Sequence, residues 1–229
     1  MDLDRFRQRT TWHQYVNERQ YDAPADPWEH VHVDPSGIEA YCSLRLDAGL
    51  GQVRGGTWDE ETSLLRETAT YRGLVQRFEE GRDWEETAIY SRAKAHFEDC
   101  ADRFRGYGSL RAFREQRLQY IDDLYDSIAT EGYRSNASAT HDNPHAETNE
   151  YEGAYANRLD PMVAIGRDGE ICWVEGYHRL ILARILGVES IPVHVLCRHA
   201  AWQETRDRVL AGSGEVPGAQ DHPDLRNAL

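Results

Sequence analysis

The chain has 229 residues, enough to bury a substantial core, and its 40% apolar and 10% aromatic content suits a globular protein. No apolar run is long enough to cross a bilayer, and the opening Met1-Asp2-Leu3-Asp4-Arg5-Phe6 lacks the apolar segment of a secretory leader, so a cytoplasmic protein without membrane contact is expected. Forty acidic residues against 26 basic ones give a net charge of −14, which disfavours nucleic acid as a partner.

One feature of the composition tempers that last exclusion. Lys94 is the sole lysine, and abundant acids with scarce lysine resemble the composition of halophilic proteins. The charge then describes the solvent as much as the partner, and a local basic patch stays compatible with it. Cys42, Cys100, Cys172 and Cys197 form no C-x-x-C pair, so neither a zinc ribbon nor a dithiol redox motif is expected. Cys172 and Cys197 lie in apolar runs and read as small core residues.

In chain order, residues 1–29 read as an N-terminal helical extension broken by Pro24 and Pro27. His30–Asp34 alternates as a short strand, ended by Pro35-Ser36-Gly37. A glycine-rich loop (Gly49, Gly51, Gly55, Gly56) precedes a predicted helix opening at Thr57-Trp58-Asp59-Glu60, where Thr57 and Glu60 have the spacing of a capping box. Its apolar face runs from Leu64 to Phe78, and Gly81 ends it. Asp83-Trp84-Glu85-Glu86 predicts a second start of the same kind. A third helix spans Ser109–Glu131, with Leu110, Phe113, Leu118, Ile121, Leu124, Tyr125 and Ile128 on one stripe and Gly132 as its C-terminal stop.

Residues 133–158 are polar and predict a long exposed loop. Order resumes at Asp160-Pro161. Met162–Ile165 and Ile171–Val174 read as a hairpin around Gly166-Arg167-Asp168-Gly169. Gly176–Leu186 is apolar nearly all round and therefore a buried helix, Gly187 closes it, and Ile191–Leu196 is a further strand. Residues 209–229, rich in Gly, Pro, Ala and Asp, read as a flexible tail.

The chemistry concentrates at Glu175-Gly176-Tyr177-His178-Arg179. A helix N-terminus presents unpaired N–H groups and the positive end of its dipole, and a glycine before it admits close backbone approach. His178 and Arg179 add two candidate cations where the dipole disfavours them, so an anion is expected there. The alternative is that Arg179 pairs with Glu175 or a distant carboxylate while His178 packs. Arg198-His199, ahead of Trp202, either projects into the same pocket or forms a salt-bridged surface. Asp59 is a candidate general base for a substrate hydroxyl, although an acid in a capped first turn has its own structural reason. Arg54-Gly55-Gly56 reads either as an anion contact or as a tight turn. His141 and His145, with Asp142 and Asn143, have metal-capable side chains but read as solvent-exposed, and no metal site is predicted.

Several of these segments together resemble the ParB/sulfiredoxin superfamily. They are Asp123–Gly132, Pro161–Ile165, Asp168-Gly169, Glu175–Leu180, Leu186-Gly187 and Ile191–Val195, covering roughly 121–199, with His30–Asp34 as the family's first strand. The resemblance implies an α+β fold, a small mixed β-sheet of ParB/sulfiredoxin type over 30–208 with a large helical insertion at about 57–108. It implies nucleoside triphosphate (ATP or CTP) and Mg²⁺ as cofactors, with Gly176, Tyr177, His178 and Arg179 on the phosphates. ParB proper carries Gly-Glu-Arg-Arg at this turn, so only Gly176 and Arg179 match it. Sulfiredoxins carry Gly-Cys-His-Arg, and Tyr177 replaces the catalytic thiol. Kinases of the superfamily place an acid-glycine pair before a histidine and arginine, which Glu175-Gly176 resembles. The expected function is a phosphotransferase acting on a small hydroxylated substrate, with Glu175 or Asp59 as the catalytic carboxylate. The alternative is a nucleotide-gated DNA-associated protein or nuclease lacking a helix-turn-helix module.

Overall fold

The computed structural model describes residues 3–100, 102–136, 159–212, 219 and 221–226. The fold is α+β with a mixed sheet. Most of residues 133–158, including His141 and His145, lies outside the described residues.

Among the described residues seven strands order as β1 (Val31–Val33), β7 (Ile191–His199), β5 (Met162–Ile165), β6 (Ile171–Glu175), β2 (Ala40–Tyr41) and β4 (Ser63–Leu64), with β3 (Gln52–Arg54) also on β7. The β5–β6 hairpin forms around the Asp168-Gly169 turn as expected, antiparallel, with Met162 opposite Glu175 and Ile165 opposite Ile171. Strand β7 is the spine. It pairs parallel with β5 and β3 and antiparallel with β1. A bulge at Leu196, where Val163 faces Val195 but Ala164 faces Cys197, resets which residues point to each face.

Alternation sorts the strand side chains into two cores. Val163, Ile165, Trp173, Val193 and Val195 pack beneath the larger helical layer, whereas Met162, Ala164, Cys172, Val174, Leu196 and Cys197 face Phe6 and Leu50. Cys172 and Cys197 are core residues, as expected. Helix α1 (Leu3–Gln20) is tied to the second face, since Thr10 Oγ1 accepts from Leu50 N–H at 3.0 Å and Asn17 Nδ2 donates to Gly51 O at 2.8 Å.

The helix expected from Thr57 does not form. Residues 57–62 make an irregular turn, Ser63–Leu64 joins the sheet beside β2, and helix α2 (Ala69–Phe78) begins only after Thr68, whose Oγ1 accepts from Tyr71 N–H at 3.0 Å. The reason is Asp59. Its carboxylate takes two side-chain bonds and one backbone bond from Arg167 (2.8–2.9 Å), which holds the turn against the hairpin instead of capping a helix. The second expected start shifts likewise. Trp84–Glu86 forms one 3₁₀ turn, and Thr87 caps α3 (Ala88–Asp99) through Tyr90 N–H. The two starts are thus alike, Leu65-Arg66-Glu67-Thr68-Ala69-Thr70-Tyr71 matching Trp84-Glu85-Glu86-Thr87-Ala88-Ile89-Tyr90 as a short turn ending on a threonine cap. The two helices pack closely enough that a Cβ on Gly73 would lie 2.7 Å from Ile89 Cγ2. Because 57–108 donates a strand to the sheet and α2 rests on the buried helix α6 (Tyr177–Ile185), the segment is woven into the core.

The third helix starts at Ser109, which caps Ala112 N–H, and stops at Gly132 with φ 78°. It is not uniform. Between α4 (Leu110–Ala112) and α5 (Gln119–Glu131), residues Phe113–Leu118 form a π-helical segment. The expectation of a flexible tail is corrected in part. Helix α7 (Ala200–Leu210) follows β7 directly, and α8 (Pro223–Arg226) returns with Asp224 and Leu225 buried, so residues 221–226 are docked rather than a free tail. Among the described residues, no helix is long and apolar enough to cross a membrane.

Candidate anion-binding site

Strand β6 delivers Glu175 to the edge of the hairpin opposite its turn, and Gly176 turns the chain into α6 with φ 88° and ψ 36°. This left-handed conformation disfavours a side chain. A Cβ would also meet Pro161 Cβ at 2.9 Å, so glycine is required by conformation and by space. The result is a strand–turn–helix unit whose first turn holds residues 177–179 with helical N–H groups that have no carbonyl partner of their own.

Glu175 is exposed, and its Oε1 accepts the Gly176 N–H at 3.0 Å. Tyr177 packs edge-on to Tyr41 at 5.7 Å. Burial, with Glu175 and Tyr41 nearby, pushes its phenol well above the ordinary tyrosine range, so the hydroxyl stays protonated and can donate.

His178 differs from the cation expected at this position. It is buried, with Nδ1 3.0 Å from Arg117 Nη2. A guanidinium can only donate, so Nδ1 accepts and the proton of the neutral ring sits on Nε2. Burial lowers the histidine well below its ordinary value, and the charges of Arg117 and Arg105 lower it further. The positive charge therefore comes from arginines. Arg117 is supplied by the π-helical segment, and Arg105 stands in a left-handed conformation (φ 49°) uncommon for a residue with a side chain. Both were missed in the sequence, because neither neighbours the motif along the chain.

Arg179 is 7% exposed. Its Nη2 donates to the Arg134 carbonyl, and its Cζ lies 4.7 Å over the Tyr133 ring. Nε and Nη1 are buried with no hydrogen-bond partner among the described residues, and no carboxylate there forms an ion pair with this guanidinium. A charged group buried with two empty donors is costly unless something supplies the acceptors.

The remaining predicted residues are not brought to this end. Asp59 binds Arg167 at the hairpin turn, about 13 Å away along the strands. Its bonds to Arg167 hold the carboxyl far below the usual range, which makes it a poor base. Arg198 is buried in an ion pair with Asp224, and His199 bonds Gly56 O through Nε2 (3.0 Å) while Nδ1 caps Ala201 N–H (3.1 Å). Both belong to the far end of β7. Arg54 starts a turn at that same far end.

The neutral state of His178 has a measurable consequence. Below about pH 6.5 the unfolded chain gains a proton on this ring that the folded chain refuses, so stability should fall as pH drops from 6.5 to 5, with a slope for one group of at most about 1.4 kcal/mol per pH unit. His178→Asn keeps an acceptor for Arg117 and should make that slope shallower by the share of one group in urea denaturation at stepped pH, while His194 and His222, likewise lowered by burial, contribute the remainder. Parallel slopes for the two proteins would show that His178 is charged in the fold. The depressed carboxylates Asp59 and Asp224 act in a separate window, since their contribution is lost only below about pH 4.

Set against protein-family models, curated proteins and solved structures, the chain matches none.

Proposed function

We propose that this is a cytoplasmic nucleotide-binding protein of ParB/sulfiredoxin type, which seats the phosphates of ATP or CTP on the first turn of α6 and transfers a phosphoryl group to a small hydroxylated substrate. The observation that carries this reading is Arg179, buried yet with Nε and Nη1 unpaired among the described residues. Phosphate oxygens are suited to such a planar donor pair. The free N–H groups of residues 177–179 and the charges of Arg105 and Arg117 raise the positive potential at the same point. Neutral His178 donates through Nε2 and does not repel the arginines.

For transfer, the substrate hydroxyl oxygen attacks the terminal phosphorus, the bridging P–O bond breaks, and the hydroxyl proton passes to Glu175, the exposed carboxylate at the mouth of the turn. Mg²⁺ would be held mainly by the phosphates and water, with Glu175 as a protein ligand, and would neutralise phosphate charge. Sulfinate reduction is not proposed, because a phenol at 177 has no thiol chemistry.

The test is a thermal-shift panel of ATP, ADP, CTP and GTP with Mg²⁺ in high KCl. One triphosphate should stabilise the protein, by about 2.7 kcal/mol at a hundredfold excess over its Kd, and Arg179→Ala should abolish the shift. Equal shifts in both proteins would remove the site assignment. Release of the nucleoside diphosphate in the presence of hydroxylated metabolites then tests catalysis. Glu175→Gln should suppress turnover while keeping the thermal shift.

A further inference from the structure

We propose that His30, Asp160 and His194 form a binding site for a divalent first-row transition ion, represented by Zn²⁺. One ligand atom from each residue lies within 4.8 Å of the other two. His30 Nε2 is 2.9 Å from Asp160 Oδ2, and the two imidazole rings lie 4.4 Å apart, tilted by 33°. Around an ion with bonds of about 2.0–2.2 Å, neighbouring ligand atoms stand roughly 3–3.6 Å apart, so only small rotations separate this cluster from a coordinated one.

Sheet topology makes the convergence. Val31 pairs with Val193, so the next position outward sets His30 across from His194. On the other side of β7, Met162 faces His194, and Asp160 comes just before that strand. Three segments far apart in sequence thus place two imidazoles and a carboxylate at one point of the sheet.

The local bonding also has the form of a ligand set. Asp160 is 4% exposed, and its Oδ1 accepts the Asn136 N–H at 2.7 Å, which fixes the carboxylate with Oδ2 toward His30. Metal ligands are commonly oriented by such outer bonds. His194 is 6% exposed, its ring perpendicular to that of Trp28 with centroids 6.3 Å apart, and its Nδ1 is buried with no hydrogen-bond partner among the described residues. A simple His30–Asp160 ion pair leaves that nitrogen unexplained, and a buried polar atom without a partner is unfavourable. A metal ion occupies all three groups at once.

Ligand chemistry selects the class of ion. Mg²⁺ and Ca²⁺ take oxygen ligands, whereas two imidazoles and one carboxylate suit Zn²⁺, Co²⁺ and their neighbours. Three protein ligands leave a coordination position for water or for an anion. His30 is a third exposed on its side chain, which gives the site an opening. The site is adjacent to the anion cradle, because Pro161 follows Asp160 and packs on Gly176. The inference does not rest on the nucleotide reading.

The experiment uses the full chain, stripped with chelator and titrated with Co²⁺. Visible d–d absorption should saturate at one equivalent and be displaced by Zn²⁺. His194→Ala and the partly exposed His30→Ala should each weaken Zn²⁺ binding by more than about tenfold while keeping the circular dichroism of the wild type. If His194→Ala unfolds, His30→Ala decides. Absence of stoichiometric Co²⁺ binding, unchanged affinity in the variants, or an intense near-ultraviolet thiolate band that assigns the ion to cysteine would each overturn the proposal.

Discussion

Asp224→Ala is expected to destabilise the protein by about 3–5 kcal/mol, a large part of the 5–15 kcal/mol that typically holds a domain together. The side chain is fully buried and serves three donors. Arg198 reaches it through Nε and Nη2, Arg206 approaches Oδ2 at 3.3 Å, and Trp202 Nε1 donates to Oδ2 at 3.0 Å. Burial alone would raise this carboxyl, but the two arginines outweigh it and hold it at about 2. Removing the carboxylate leaves two interior guanidiniums facing each other and an indole N–H without an acceptor. Because the pair is shielded from solvent, the loss should persist in high salt, unlike that of a surface pair. Urea denaturation at low and high KCl measures both points. A loss under about 1 kcal/mol would mean that residues 221–226 do not clasp β7 in solution.

Trp84→Ala should cost a comparable amount, about 3–5 kcal/mol. The indole is fully buried against the edge of Phe78, and its Nε1 donates to Asp122 Oδ2 at 2.8 Å. Arg77 covers the ring and binds the other oxygen of Asp122 at 3.0 Å. This one side chain therefore joins the turn before α3 to both α2 and α5. Trp84→Phe retains most of the volume but loses the donor, and should cost nearer 1 kcal/mol. Since Leu74, Ile89 and Ala93 share a core with α5 and α6, the alanine variant should unfold in a single transition at lower denaturant. A separate early transition confined to tryptophan fluorescence would instead make residues 57–108 an independent unit.

Legibility in the sequence followed the range of the interactions. The run from Met162 to Leu196 was readable because strand, Asp-Gly turn, glycine before the buried helix and second strand are all specified by neighbours. Gly132 marked the end of α5 for the same reason. Strands β2, β3 and β4 escaped because two or three residues carry no period; β2 and β3 are placed by β6 and β7, far along the chain, and β4 only by β2. The helix start was misplaced because Thr57 and Thr68 offer similar capping chemistry. The choice between them is made by Arg167, 108 positions from Asp59. In the site, Gly176 and Arg179 were visible, but the neutrality of His178 depends on Arg117 and on burial. His30 and His194 become partners only through the antiparallel pairing of β1 with β7.

One sign of the π-helical segment was present in the sequence as a gap. The apolar stripe of the third helix steps by three from Leu110 to Phe113, then by five to Leu118, and by three again to Ile121 and Leu124. A regular helix advances 100° per residue, so a five-residue step would swing everything after it off the buried side. The wider turn absorbs the surplus residue and keeps Phe113 and Ile121 in one interior. Shortening the chain by one position here would restore an ordinary helix and lose nothing greasy, yet it would take the guanidinium of Arg117 away from the imidazole it faces. The wider turn thus does two things at once, holding the apolar stripe in register and aiming Arg117 at His178.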